Sequence, residues 1–146
     1  MLRQCRRLTA RAIDGLSHEQ LLFIPDGFRN NILWNLGHVV VTQQRLCYKH
    51  CGLDTYIPDE VCEILKIGTS PGDWTEPPDV EQIKTWMSEL PGRLEEDLRQ
   101  DMFGGYPGYT TATGVTLSDI DDAIIFNNIH EGIHLGVILS LRKAVR

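Results

Sequence analysis

The sequence lacks a long hydrophobic run: no window approaches 18 uncharged apolar residues, so we predict no membrane-spanning segment. Positive charge is also limited, with 14 Lys and Arg against 20 Asp and Glu. Residues 53–122 hold four basic and sixteen acidic residues, a net charge of −12. A general binder of nucleic-acid phosphates needs a basic face, and this charge excludes that class. Repeats and low-complexity segments are absent, and the hydrophobic content of 42% is typical of a globular protein.

Cysteine is scarce, and the spacing of the four residues forms neither a CxxC pair nor a disulfide framework. They are Cys5, Cys47, Cys51 and Cys62. His50 lies between two of them and could complete a metal site with them. We interpret all four instead as reduced thiols, mainly of the core.

An apolar signal segment is absent behind the arginine-rich N-terminus, so we expect a cytoplasmic protein. Four arginines precede the first acidic residue, Asp14, and this pattern is also typical of a mitochondrial presequence. Those arginines fall largely between apolar positions of helical spacing. We therefore interpret them as the exposed face of a first helix.

Hydrophobic periodicity predicts four main helices in a single domain over residues 1–146. The predicted helices cover residues 2–16, about 30–50, 79 to about 98 and 118 to about 142. The third continues through Pro91 with a kink rather than an end, because its apolar stripe stays in phase. Residues 52–78 are too long for a tight helix–helix turn. We therefore predict an all-α fold, a four-helix bundle with a long crossover between helices 2 and 3.

Shorter features lie between these helices. Ser17 and Gln20 match a capping box, which predicts a short helical turn. Residues 59–66 could form a short helix inside the crossover. Residues 103–116 are rich in glycine and aromatic residues, and they form either a simple connector or the wall of a pocket that Tyr106 and Tyr109 would cover.

His130 and His134 lie four residues apart on the fourth predicted helix, so both face the same side. They continue its apolar stripe towards the core, where two imidazoles without partners would be costly. One metal ion would satisfy both, so a metal site is one interpretation of this pair. Chance spacing or a surface pair is the other.

The segment HEGIH at 130–134 also matches the HExxH motif of zinc peptidases, in which Glu131 would be the general base. Only twelve residues follow His134, and none of them is His, Asp or Glu. The usual downstream third ligand is therefore absent, and no edge strand is predicted that could hold an extended peptide. We reject the peptidase interpretation, and a third ligand must come from elsewhere in the chain.

His38 is a candidate for that ligand, because it lies in the middle of the apolar second helix beside Gly37. In a bundle, two facing helices can supply one and two ligands to a shared site. A core histidine bonded to the backbone is the alternative for His38. His18 and His50 lie in a polar turn and at a helix end.

Three motifs occur in a fixed order: N-x-x-W-x-L-G-H at 31–38, G-V-T-L-S-D at 114–119 and H-x-x-x-H-x-G at 130–136. Together they resemble the DinB-like (damage-inducible) metalloenzyme superfamily over essentially the whole chain. The resemblance implies a four-helix bundle, often dimeric, with His38, His130 and His134 as the metal ligands. The family name implies no DNA chemistry, in agreement with the acidic middle of the chain.

A three-histidine site leaves open positions on a divalent ion, unless Glu131 or Asn127 supplies a fourth ligand. Imidazole binds several transition metals, and we expect one ion per chain, zinc or nickel first and manganese, iron or cobalt next. Asn127, Asn128 and Trp34 are candidates to orient the ligand histidines. Core packing is the alternative role for Trp34.

Some members of the superfamily that this chain resembles transfer low-molecular-weight thiols such as bacillithiol or mycothiol to electrophiles. The resemblance therefore implies a metal-dependent thiol S-transferase, in which the ion lowers the pKa of the thiol. A metal-dependent hydrolase using metal-bound hydroxide, with Glu131 as its base, is one alternative, and a non-catalytic metal-binding or interaction protein is another. The expected partners are a small thiol, a small electrophile and a second copy of the chain in a homodimer, but neither nucleic acid nor a membrane.

Overall fold

Six helices account for most of the chain, which the computed structural model describes from residue 1 to residue 145. The helices are α1 Leu2–Ile13, α2 His18–Leu22, α3 Ile32–Cys47, α4 Asp59–Leu65, α5 Val80–Arg99 and α6 Ile120–Ala144. Two short strands, β1 Tyr109–Thr110 and β2 Thr116–Leu117, and two 3-10 turns, Lys49–Cys51 and Pro71–Asp73, complete the structure. The predicted all-α class is confirmed.

The long helices begin at the polar residues that the sequence indicates. The Asn31 side chain accepts a hydrogen bond from a first-turn amide of α3, and Asp79 and Asp119 do the same for α5 and α6. These bonds satisfy amides that have no partner inside their own helix. Ser17 forms the predicted capping box at α2. Pro91 lies inside α5, so this helix continues through it as predicted.

The four long helices form a closed ring of contacts, in which α1 and α3 each pack against both α5 and α6. Tyr48, just after α3, bonds to Asp97 near the end of α5. Gly37, earlier in α3, packs against Ile83 near the start of α5. These pairs show that α3 and α5 run in the same direction. Parallel neighbours cannot be joined by a tight turn, and the chain between them forms the predicted long crossover, which contains α4.

The first helix differs from the prediction in its end and in its exposed face. It ends at Ile13 rather than at residue 16, because Gly15 has a left-handed backbone with φ of 76°. Arg6 is buried and Leu8 is exposed, so the expectation that the arginines form the exposed face of this helix is wrong for Arg6. The physical reason is an acidic partner for Arg6 on α6.

The glycine-rich segment after α5 contains a small hairpin that the sequence did not indicate. Strands β1 and β2 pair antiparallel, with Tyr109 opposite Leu117 and Thr110 opposite Thr116. Gly114 adopts φ of 82° in the connection between them. Strands of two residues are too short to show an alternating pattern, which is why periodicity could not predict them.

The outer face of α6 is apolar and exposed: Ile125, Ile129 and Ile133 are 59%, 59% and 62% exposed. By length and composition alone α6 could cross a membrane, and 22% of its apolar 18-residue window is buried. Glu131 interrupts the uncharged stretch of this helix, which is why no membrane-spanning segment was predicted from the sequence. That glutamate is buried against Arg6, so α6 is a packed bundle helix with one apolar side facing solvent.

Candidate metal centre

Three histidines from two facing helices meet in the bundle. His38 comes from α3, and His130 and His134 come from successive turns of α6. One ring nitrogen of each lies within 4.8 Å of those of the other two. In residues 1–145, this is the one group of three or more His, Cys, Asp or Glu side chains close enough to share an ion.

The spacing of the nitrogens fits a shared ion. The Nε2 atoms of His38 and His130 are 3.2 Å apart. Two imidazole nitrogens on a tetrahedral zinc ion, each at about 2.05 Å from the metal, would be about 3.3 Å apart. His38 and His130 are therefore already at the spacing of two ligands on one ion, and a ring nitrogen of His134 lies within 4.8 Å of both.

The backbone and an aromatic ring fix the orientation of His38. Its Nδ1 lies 2.8 Å from the carbonyl oxygen of Leu65, at the end of α4. When Nδ1–H donates to that oxygen, Nε2 keeps its lone pair for a metal. The Trp34 ring stacks on the imidazole with ring centroids 4.4 Å apart and an interplanar angle of 10°. The crossover therefore positions a ligand from α3.

An amide does the same for His134. Its Nδ1 lies 2.8 Å from Asn35 Oδ1. The Asn35 amide nitrogen donates to the carbonyl oxygen of Asn31, at 2.7 Å, which directs Oδ1 towards the imidazole. Nε2 of His134 is then available as a ligand.

The electrostatics of the cluster favour neutral imidazoles. Burial, with repulsion from His134, His38 and Arg6, lowers the pKa of His130 to about 3. Burial and the neighbouring His38 lower the pKa of His134 to about 4. Burial also lowers the pKa of His38, partly opposed by its bond to Leu65. Neutral imidazole is the form that binds a metal. His130 Nδ1, on the other side of the ring from the shared site, is buried without a hydrogen-bond partner in the described structure, so no protein group fixes this imidazole as Leu65 and Asn35 fix the other two.

A cavity of about 340 Å³ opens beside the histidines and gives a small molecule access to them. His38 and His130 form part of its wall. A face of α3, the β1–β2 hairpin and Phe126 of α6 form most of the remaining wall. Tyr109 lines this cavity, so residues 103–116 form a pocket wall as well as a connector.

Comparison with known proteins agrees with this architecture. A family model described as the DinB superfamily matches residues 1–138. The chain belongs to the DinB superfamily. No curated protein matches the sequence.

In this DinB-superfamily protein, Glu131 is turned away from the histidine cluster. It is 1% exposed. Its two oxygens accept hydrogen bonds from Arg6 at 2.6 and 2.7 Å. The Asn127 amide also donates to Oε1, at 3.0 Å. Glu131 therefore bonds to both Arg6 and Asn127, and neither Glu131 nor Asn127 joins the described metal cluster.

Trp34, Asn127 and Asn128 were the residues that the sequence indicated as candidates to orient the ligands. Trp34 contacts His38 directly and is also buried in the core. Asn128 makes no hydrogen bond to a histidine within the described part of the chain. Asn35 and the carbonyl of Leu65 orient histidines without having been predicted to do so. Asn35 lies three residues before His38, on the same helical face, and that spacing was a usable signal.

The cysteines form no second centre in residues 1–145 of the DinB-superfamily protein. Cys47 is buried at the end of α3, and His50 bonds to the carbonyl oxygen of Pro107 at 2.9 Å. All four cysteines are free.

Proposed function

We propose that the protein is a metal-dependent transferase that adds a low-molecular-weight thiol to small electrophiles. His38, His130 and His134 hold one divalent ion, with zinc or nickel as the first candidates. The observation that most strongly supports this proposal is that three neutral imidazoles converge beside an open cavity. Family membership supports a metalloenzyme of this kind.

Open coordination supports catalysis over a structural role. A structural zinc site is closed by four protein ligands, whereas a catalytic site keeps a position for water or substrate. In the part of the chain that the structure describes, three ligands converge, and the nearby carboxylate of Glu131 is committed to Arg6. The cavity reaches two of the three ligands, His38 and His130, and so offers a further ligand a path to the ion.

A divalent ion lowers the pKa of a thiol that it binds and so supplies a nucleophile at neutral pH. Leu65 and Asn35 hold two of the imidazoles in fixed orientations. The hairpin and Phe126 form part of the cavity wall and exclude part of the solvent. A small electrophile placed there faces the sulfur, and such positioning favours a two-substrate reaction.

The nucleophile is expected to come from the substrate, because the protein's own thiols are unreactive. Burial raises the pKa of Cys47 to about 12. Burial also raises the pKa of Cys5, Cys51 and Cys62. At neutral pH these groups remain protonated, and a protonated thiol is a poor nucleophile.

The contacts of Glu131 distinguish this proposal from hydrolysis. A hydrolase of this type would use Glu131 as its base, but both carboxylate oxygens already accept hydrogen bonds in the core. A transferase needs no such carboxylate. A purely non-catalytic role would leave the cavity beside the histidines without a use.

The test is turnover by protein loaded separately with zinc, nickel or manganese, with 1-chloro-2,4-dinitrobenzene and a panel of thiols including bacillithiol, mycothiol and glutathione. The carbon–sulfur bond forms as the carbon–chlorine bond breaks, and chloride and the thiol proton pass to solvent. We expect product formation that depends on metal and is lost in His134→Ala. Equal rates with and without metal would refute the transferase. Metal-dependent cleavage of an activated ester, without thiol transfer, would favour the hydrolase.

We also propose a homodimer, formed through the exposed isoleucine face of α6. Isoleucines at 125, 129 and 133 follow helical spacing, so they form one continuous row. An apolar groove of about 430 Å³ beside them extends this surface to Val115 and Leu117. Such a face can pack against its own copy about a two-fold axis.

We propose that the protein works in the cytoplasm. All four cysteines are free thiols, and free thiols are typical of a reducing compartment.

A further inference from the structure

We infer that the cavity beside the histidines selects a substrate with an anionic group, a carboxylate or phosphate, several bonds away from the atom bound at the histidines. Arg45 binds that group, with Lys49 beside it. This inference rests on the proposed function, because it assigns the class of molecule that enters the same cavity.

One face of α3 leads from the histidines to these cations. His38, Thr42 and Arg45 line the cavity from α3 at helical spacings of four and three residues, and Lys49 lines it from the 3-10 turn that follows α3. Each residue of α3 adds about 1.5 Å along the axis, so Arg45 begins about 10 Å beyond His38, and Lys49 follows it past the end of the helix. A ligand lying along this face can contact the histidine end and a cation together.

The charge of the cavity is opposite to that of the chain. The protein has a net charge of −6, and its acidic residues outnumber its basic ones. The cavity wall nevertheless includes Arg45, Lys49 and His50, and none of its described lining residues is Asp or Glu. A divalent ion at the histidines would add two further positive charges. A molecule with an anionic group fits this field better than a neutral one.

Neither cation is strongly held by the protein. Lys49 Nζ lies 3.0 Å from Asp59, whose side chain is 79% exposed. Arg45 Nη1 lies 4.0 Å from Glu63, an exposed pair at the limit of an ionic contact. Exposed pairs of this kind contribute little and are screened by salt. A ligand anion can therefore replace either acid without disturbing the core.

The guanidinium is the better anchor of the two. Its planar donors match the oxygens of a carboxylate or phosphate in a bidentate arrangement, whereas an ammonium acts as a point charge. His50 is occupied by Pro107 and packs against Tyr109, so its role is to hold the hairpin over the cavity. The inference therefore assigns recognition to Arg45 first and to Lys49 second.

Two thiols of equal length test this assignment: 8-mercaptooctanoate, which ends in a carboxylate, and 8-mercapto-1-octanol, which ends in a neutral hydroxyl. Each is titrated by calorimetry into metal-loaded wild type, Arg45→Gln and Lys84→Gln. Lys84 is the matched control, since it pairs with an exposed glutamate elsewhere on the surface. Helicity and metal content are measured on each variant, so a folding defect is recognised.

We expect wild type to bind the carboxylate thiol about 10-fold more tightly than the alcohol, the effect of one charge-assisted contact. That preference should fall to about 2-fold or less in Arg45→Gln, remain in Lys84→Gln, and weaken in wild type at high salt. Equal binding of the two thiols by wild type would overturn the inference and leave the transferase proposal intact. A preference that persists in Arg45→Gln would overturn the assignment to Arg45.

Octanoate separates the remaining outcomes, because it carries the anion without a thiol. If neither thiol binds but octanoate binds in an Arg45-dependent way, the anion site stands and the thiol substrate is wrong. If neither thiol nor octanoate binds to metal-loaded protein, both the anion site and the proposed function are wrong.

Discussion

Arg6 of α1 and Glu131 of α6 form a bidentate ion pair inside the bundle, with Nε–Oε2 and Nη2–Oε1 distances of 2.6 and 2.7 Å. Both side chains are almost completely buried, at 3% and 1% exposure. Arg6 also donates to the carbonyl oxygen of Val39 on α3, at 3.2 Å. The pair therefore ties three helices together next to His130.

Removing one partner of this pair should be strongly destabilising, because the other charge is left buried and unpaired. We expect Glu131→Gln and Arg6→Met each to lower the free energy of unfolding by about 3–5 kcal/mol. The double variant Arg6→Met/Glu131→Leu should recover part of that loss. Urea denaturation measures all three.

The exposed Arg3–Glu95 pair is the matched control, and Arg3→Met should cause a far smaller loss than Arg6→Met. Similar losses of unfolding free energy for the two arginine variants would show that the buried pair of Arg6 stabilises the bundle no more than an exposed pair does. Glu131→Gln that keeps full stability but loses activity would instead restore Glu131 as a general base.

Asn35 should control metal affinity without being a ligand. Its Oδ1 accepts the Nδ1–H of His134, and outer contacts of this kind raise the basicity of the ligand and fix its tautomer. We expect Asn35→Ala to weaken metal binding by about 10–100-fold. Competition with a chelator of known affinity measures the change. Asn128→Ala should leave the affinity nearly unchanged, and the opposite order of the two variants would contradict the observed geometry.

Gly37 should tolerate no side chain. A Cβ at this position would lie 2.5 Å from Leu65 Cδ1 and 3.2 Å from Ile83 Cδ1. Since Leu65 is fully buried, we expect Gly37→Ala to cost about 1–3 kcal/mol of stability and to displace the carbonyl that holds His38. Thermal and urea denaturation provide the measurement.

Gly92 of α5 supplies the comparison, because a Cβ there would meet only the movable guanidinium of Arg3. Gly92→Ala should be neutral or stabilise by less than about 1 kcal/mol. If Gly37→Ala proves equally harmless, α4 does not pack against α3 as closely as described.

Ile129→Glu should convert the proposed dimer into a monomer. The new carboxylate would be buried without a partner in a two-fold contact between α6 helices, which is costly for association. Sedimentation velocity over a range of concentrations measures the change. Leu8→Glu is a control on another exposed apolar residue of the bundle. A wild type that stays monomeric, or an Ile129→Glu variant that stays dimeric, would rule out this interface.

The helices and the histidine pair were predictable because their signals are local. Apolar spacing defined the four long helices, and polar residues at 30–31, 79 and 118–119 marked three of their starts to within one residue. The spacing of His130 and His134 alone placed them on one face. His38 was a candidate from its place in the apolar second helix, and the family resemblance was needed to choose it over a core role, since nothing local joins a residue of α3 to one 92 positions later.

Other features depend on contacts that no local pattern records. Arg6 has the spacing of an exposed cation, and only its partner on α6, 125 residues away, explains its burial. The group that orients His38 is the backbone carbonyl of Leu65, and any residue at that position would supply one. The cavity likewise depends on a hairpin whose strands are too short for a periodic signal.

The most direct test of the central claim is metal content by plasma mass spectrometry, on wild type and His38→Ala purified without a histidine tag. The account predicts close to one divalent ion per wild-type chain and its loss in the variant, because α3 and α6 share one site. Wild type that holds no metal after reconstitution with zinc, nickel and manganese would contradict the account, and the three histidines would then be core residues.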